Sequence, residues 1–196
     1  MTVPHSRIYL ITPEDGDDTH LQRVLLALVN SGDVGALLIR AQSEDELRSR
    51  ANALTKIAHD HDIAVLIDED ARCARETDAD GVHVTGNTEV LNATRDVVGK
   101  DMIIGVDPGL SRHEAMEIAE TGADYIAFKD IEMAQWWAPL FEVPCVSLPP
   151  ASYEEAGALA EHGVEFICPD MAIWDSPEKA AEMTKRYLEI FARTSI

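Results

Sequence analysis

Short β-branched runs alternate along this chain with longer segments of helical period, and no low-complexity tract or Ser/Gly linker interrupts the alternation. Eight runs have strand character: Ile8 to Thr12, Ala36 to Arg40, Ala64 to Asp68, Gly81 to Val84, Met102 to Val106, Tyr125 to Phe128, Cys145 to Leu148 and Phe166 to Cys168. Between them lie helical stretches with recognisable starts. Asp18 leads into His20 to Asn30, and Ser43 with Glu46, Ser111 with Glu114 and Ser152 with Glu155 have capping-box spacing. Ser176-Pro177 opens the last helix. Ser31-Gly32, Thr121-Gly122 and His162-Gly163 put a glycine where a helix is expected to end in the left-handed conformation, a few residues before a strand.

This unit of helix, glycine stop and strand recurs. Its copies include Gly32-Asp33-Val34-Gly35-Ala36, Ala79-Asp80-Gly81-Val82-His83, Gly122-Ala123-Asp124-Tyr125-Ile126 and Gly163-Val164-Glu165-Phe166-Ile167. No solenoid consensus accompanies the repeat, and strands separated by full helices favour parallel pairing through right-handed crossovers. Eight such units in 196 residues predict one compact (β/α)8 TIM barrel spanning residues 1–196, with an open doubly wound sheet as the alternative. In a barrel, chemistry belongs where strands end and the following loops begin.

Charge narrows the partners. Sixteen Lys and Arg against 36 Asp and Glu give a formal net charge of -20, a field that repels nucleic acid and anionic membrane surfaces. No apolar run approaches a bilayer span, and Met1 to Asp15 lacks a basic start, an apolar stretch and a small-residue cleavage site. The expectation is a cytoplasmic protein with a small-molecule ligand; the formation of a homo-oligomer is left open. Cys73, Cys145 and Cys168 have neither disulfide nor zinc spacing and read as small buried hydrophobes.

Several strand ends carry candidate chemistry. Asp68-Glu69-Asp70 follows an apolar run, and acids on a barrel rim can hold Mg2+ together with substrate phosphates. The plainer reading makes Asp70 the cap of the next helix and leaves Asp68 and Glu69 solvated. His83 lies inside the fourth strand, where it is either a general acid or base or a hydrogen-bonded core residue. Arg40 and Lys129 are the two basic side chains at expected strand ends, so an anionic ligand would be met mainly by them. Pro149-Pro150 and Pro169 are expected in the last two loops, where proline offers no N–H to a phosphate, and Asp170 adds negative charge. Trp136-Trp137 could stack a heteroaromatic ring or simply pack.

These residues resemble the thiamine phosphate synthase family, whose superfamily includes a thiazole tautomerase branch. The resemblance covers nearly the whole chain. It rests on Ile8-Tyr9-Leu10-Ile11-Thr12, Arg40, Asp68-Glu69, Ala79-Asp80-Gly81-Val82-His83, Ile103-Ile104-Gly105-Val106 and Gly122-Ala123-Asp124-Tyr125-Ile126. It implies a (β/α)8 transferase of thiamine biosynthesis that couples a pyrimidine methyl pyrophosphate to a thiazole phosphate with Mg2+. Arg40 resembles the family's pyrophosphate-binding arginine, and Glu69, with Asp68, falls where the family has its Asn-Asp magnesium pair. Strand-end position and resemblance together give Arg40, His83 and Lys129 as catalytic candidates, with Arg40, Asp68, Asp107 and Lys129 for substrate and Glu69 and Asp68 for metal.

The chain departs from the family elsewhere. Leu38-Ile39-Arg40-Ala41-Gln42 lacks a glutamine and a lysine, and Thr85-Gly86-Asn87-Thr88 replaces a Gly-Gln and a second metal-binding acid. Lys129-Asp130-Ile131-Glu132 stands in place of a Pro-Thr-x-Thr-Lys loop, and Asp107-Pro108-Gly109-Leu110 lacks the serine and histidine. The alternative function is a non-catalytic barrel that binds a small molecule or regulates a partner. A third reading is an isomerase or lyase step using His83, Asp107 and Lys129.

Overall fold

The computed structural model describes residues 6–194, so the part of the Met1 to Asp15 stretch before Ser6 lies outside it. Strands and helices alternate in the order β1 (Arg7–Ile11), α1 (Asp18–Val29), β2 (Val34–Ile39), α2 (Glu44–His59), β3 (Ala64–Asp68), α3 (Ala71–Glu76), β4 (Gly81–Thr85) and α4 (Thr88–Val98). They continue through β5 (Ile103–Asp107), α5 (Arg112–Thr121), β6 (Tyr125–Phe128), α6 (Ile131–Trp137), β7 (Cys145–Ala151), α7 (Tyr153–Glu161), β8 (Phe166–Pro169) and α8 (Pro177–Thr194). Each strand pairs in parallel with the next and β8 closes on β1, giving a closed (β/α)8 barrel and excluding the open sheet.

Period-two alternation sorts the strand side chains into two layers. Ile8, Leu10, Leu37, Ile39, Val82 and Val84 face the helices, while Tyr9, Ile11, Leu38, Leu66, Tyr125 and Val146 fill the barrel. The same parity carries Arg40, Asp68, His83, Asp107 and Lys129 to the inner side. Gly105 is demanded by this filling, because a β-carbon there would fall inside the ring of Tyr125, its register partner on β6.

The repeated acid of the strand units has a structural use. Asp80 accepts the Val65 N–H at 2.7 Å, Asp124 the Ile104 N–H at 2.8 Å and Glu165 the Cys145 N–H at 3.1 Å. Asp33 instead grips the Arg7 guanidinium. Each acid precedes an even strand and ties it to the odd strand before it, at the end of the barrel where the strands begin. The repeat therefore reports barrel closure rather than chemistry.

Local signals held with corrections. Gly122 and Gly163 end their helices at φ 107° and 82°, but Gly32 is not left-handed. Asn30 caps α1, and Gly32 lies close against the Leu188 side chain of α8, which would have to shift to admit a β-carbon. Asp17, not Asp18, accepts the first free N–H of α1. Only Ser152–Glu155 closes a reciprocal capping box; Ser43 and Ser111 cap with the hydroxyl alone. Pro149 and Pro150 lie within β7 rather than in the loop after it, and the register with β8 slips between Ser147 and Ala151 because two residues without N–H cannot continue the ladder. All three cysteines are buried thiols. Trp137 is core, donating Nε1–H to the Val143 carbonyl at 2.8 Å, and Trp136 stacks under Arg112, so the pair packs.

Candidate functional site

The C-terminal ends of the strands gather the charged residues around one mouth. Arg40 stands one residue beyond β2 and Asp68 ends the adjacent β3, with Arg40 Nε 3.0 Å from Asp68 Oδ2. Lys129 stands one residue beyond β6 and Asp107 ends β5, with Lys129 Nζ 2.7 Å from Asp107 Oδ2. These are charge contacts without hydrogen-bond alignment. Arg40 Nε and Asp107 Oδ2 are therefore buried polar atoms with no directed partner among the described residues. Ser147 Oγ and Trp174 Nε1 share that state elsewhere; at the mouth the opposite charge meets part of the cost, and water or a ligand can complete the two atoms.

The pairs differ in their exposure. Asp107 has a side chain 1% exposed beneath a lysine that is 59% exposed, while Arg40 and Asp68 are 28% and 23% exposed. Asp107 also accepts the Gly109 N–H through Oδ1, which orients it. Burial pushes the Asp68 carboxyl above its ordinary 3.8, against the opposing pull of Arg40. Asp68 is thus a carboxylate that pays for its place at the rim.

Glu69 is unlike its neighbours. Its backbone has φ 58°, a left-handed conformation that costs a non-glycine residue roughly 1–2 kcal/mol. Two bonds hold it there: its N–H donates to the His83 carbonyl at 2.8 Å, and its Oε1 accepts the Thr85 N–H at 2.9 Å. The turn folds the carboxylate over β4 and leaves Oε2 without a hydrogen bond among the described residues. Asp70 accepts the Arg72 and Cys73 N–H groups and caps α3, as its plainer reading holds. Asp68 and Glu69 line an open groove of about 610 Å3 together with Gln42, Ser43, Asp70 and Arg72.

His83 points into the barrel and is 1% exposed. Its Nδ1 lies 3.0 Å from the Tyr125 hydroxyl, which lies 2.9 Å from the Tyr9 hydroxyl. Burial lowers the His83 pKa to about 4, more than Asp107 restores, so the ring is neutral near pH 7. A neutral imidazole with a satisfied Nδ1 fits both the polar-core reading and a role at the mouth. Burial also raises the Tyr9 and Tyr125 pKa values, keeping both hydroxyls protonated.

Three participants were not among the candidate site residues, although Tyr9 and Tyr125 stand inside two of the motifs that carry the resemblance. Tyr9 and Tyr125 read simply as strand residues. Arg50, 2% exposed, bonds Asp18 and the carbonyls of Pro13, Gly16 and Arg40, so it shapes the first loop and the backbone beneath Arg40. A signal for Arg50 existed: it stands in the apolar stripe of α2 with Leu47, Ala51 and Leu54. The apolar cavity, about 190 Å3 and lined by Tyr9, Leu66, Ile103, Tyr125, Val146 and Phe166, lies at the other end of the barrel. The two grooves at the charged end, the second bordered by Thr85, Asn87, Asp107 and Gly109, are open.

For Mg2+, no cluster of three or more His, Cys, Asp or Glu able to hold a metal occurs among the described residues. Asp68 and Glu69 line one groove, two carboxylates being the number a Mg2+ ion takes where phosphate oxygens and water complete its octahedron. Also among these residues, no helix is long and apolar enough to cross a membrane.

Comparison with known proteins agrees with this architecture. Residues 8–173 match a family model described as thiamine monophosphate synthase. The chain is 33% identical over 197 residues to a thiamine-phosphate synthase of Erythrobacter litoralis, covering 90% of this chain and 92% of that one. It is 28% identical over 209 residues to another from Hyphomonas neptunium, covering 96% and 95%. A solved thiamine phosphate pyrophosphorylase from Pyrococcus furiosus superposes with a TM-score of 0.79 at 20% identity over 96% of each chain, a likeness of fold.

Proposed function

Because the chain belongs to the thiamine monophosphate synthase family, we propose that it joins a pyrimidine methyl pyrophosphate to a thiazole phosphate at the C-terminal mouth of its barrel. The observation that supports this most is the pair of buried, undirected polar atoms, Arg40 Nε and Asp107 Oδ2. One wants an acceptor and the other a donor. An aminopyrimidine carrying a pyrophosphate offers both, a phosphoryl oxygen for Arg40 and an exocyclic amine for Asp107.

In this reading the methylene–oxygen bond breaks and pyrophosphate leaves with the electron pair. The thiazole nitrogen then gives its lone pair to the methylene carbon. Arg40 and Lys129 hold the anionic groups, and Asp107 orients the pyrimidine amine beside the developing positive charge. Asp68 and Glu69 would hold Mg2+, which when bound neutralises charge on pyrophosphate. Lys129 occupies a stretch that lacks the family's Pro-Thr-x-Thr-Lys loop and supplies a cation there.

The same geometry supports a second reading, a barrel that binds a small molecule without turning it over. Both cations already face carboxylates, so a trianionic ligand must displace or neutralise Asp68 and Asp107. Thiamine phosphate formation by the purified protein with both substrates and millimolar Mg2+ separates the two. The synthase reading expects product from the wild type and none from Arg40→Ala or Glu69→Gln. Absence of product from folded wild-type protein would overturn it in favour of the binding barrel.

A further inference from the structure

The buried column of Tyr9, Tyr125 and His83 has a direction that hydrogen counting determines. Tyr9 Oη has one polar neighbour among the described residues, the Tyr125 hydroxyl at 2.9 Å. A buried hydroxyl with a single such neighbour must donate its proton there or bury it unpaired, which costs the desolvation of the donor. Tyr125 Oη then accepts from Tyr9, and its own proton has one destination, His83 Nδ1 at 3.0 Å. Nδ1 is therefore an acceptor. An imidazole whose Nδ1 accepts carries its hydrogen on Nε2.

Nε2 has no hydrogen-bond partner among the described residues, and the ring lies on the inner side of the barrel in register with Asp68, the residue that ends β3 at the mouth. Reversing the chain would leave the Tyr9 proton without a partner among the described residues. Protonating both ring nitrogens would strand the Tyr125 proton instead.

We propose that Tyr9 and Tyr125 are positioning residues that hold His83 as its Nε2–H tautomer, so that the mouth presents a neutral hydrogen-bond donor to an acceptor atom of the bound ligand. This changes what His83 can do. With its lone pair committed to Tyr125, it is not a base; it donates to a pyrimidine ring nitrogen or to a phosphoryl oxygen. The proposal rests on the mouth being the ligand site, but not on turnover. Gly105 belongs to the same device, since its missing side chain lets the Tyr125 ring cross to His83.

Long-range nitrogen–proton NMR on histidine-labelled protein tests it, with the seven histidines sorted by comparison with His83→Gln. The expected spectrum shows Nε2 protonated and Nδ1 bare. A bare Nε2 with protonated Nδ1 overturns the proposal, as would happen if a water in the apolar cavity took the Tyr9 proton. Tyr125→Phe keeps the ring and removes the donor, so its His83 signals should move toward a tautomer average while its thermal melt remains cooperative; an unchanged tautomer also overturns the assignment.

Two titrations of the wild type locate the acceptor. One uses inorganic pyrophosphate with Mg2+, the other an aminopyrimidine alcohol. A shift of the His83 Nε2–H signal by one of them identifies a phosphoryl oxygen or a ring nitrogen, and that probe should bind Tyr125→Phe up to about tenfold more weakly. No shift with either refutes the ligand-facing role. An Nε2–H tautomer in a protein that makes no product would refute the synthase reading alone.

Discussion

The rim of the barrel mouth and the column just beneath it bury polar groups in opposite ways. At the rim, Arg40 faces Asp68 and Lys129 faces Asp107, opposite charges in contact but not aligned. In the column, Tyr9, Tyr125 and His83 are neutral, buried and joined by hydrogen bonds. The rim keeps binding capacity in reserve because its atoms await a better partner. The column spends its capacity on itself and leaves one ring nitrogen over. The contrast teaches that the charged part of the mouth leaves hydrogen-bonding capacity unused while the neutral part closes on itself.

Acid offers the strongest way to break this contrast. His83 titrates at about 4 in the fold against 6.5 in the unfolded chain, so the unfolded chain gains a proton first as the pH falls. The stability from keeping His83 neutral is complete above 6.5 and lost as pH falls toward 4, on the order of 3 kcal/mol. Urea unfolding of wild type and His83→Gln across this range should show the steep loss only in the wild type. Equal slopes would mean that the column is not closed to protons.

Next in size is the lysine pair. Lys129→Met leaves the Asp107 carboxylate without its cation and should cost about 2 kcal/mol, less than a fully enclosed pair because Lys129 is 59% exposed and water can follow. Adding Asp107→Asn should recover most of it, a coupling that a double-mutant cycle in denaturant reads directly. Additive losses would show that the pair does not interact. The smallest expected effect is at the other pair. Asp68 has its pKa raised mainly by burial, so its ionised form opposes folding above the ordinary 3.8, and Asp68→Asn should stabilise the neutral-pH fold by a few tenths of a kcal/mol. A clear loss there would show that the Arg40 contact outweighs burial.

Much of the fold was legible because local signals agreed with one another. All eight strand runs form strands, shifted by up to three residues at their ends, where a hydrogen-bond ladder, rather than β-branching, sets the limits. The acids at 80, 124 and 165 could be seen to repeat but not to tie strands, since the N–H groups that donate to them lie 15 to 20 residues away. At the site, Arg40 and Lys129 were visible as basic residues at strand ends, and Asp68 as an acid after an apolar run. The left-handed turn at Glu69 and the burial of Asp107 were not, because both follow from neighbouring strands.

By itself the sequence determined the barrel and which residues reach its mouth, since period-two alternation and capping are properties of adjacent residues. The family resemblance was also carried by short motifs read in order. Tertiary structure alone decided that Arg40 meets Asp68, that Lys129 covers Asp107 and that two tyrosines carry a hydrogen-bond chain to His83. Those pairings join residues as many as 116 positions apart, and they depend on strand register and on the space left by Gly105. Register is set by closure of the whole sheet, which no single segment encodes.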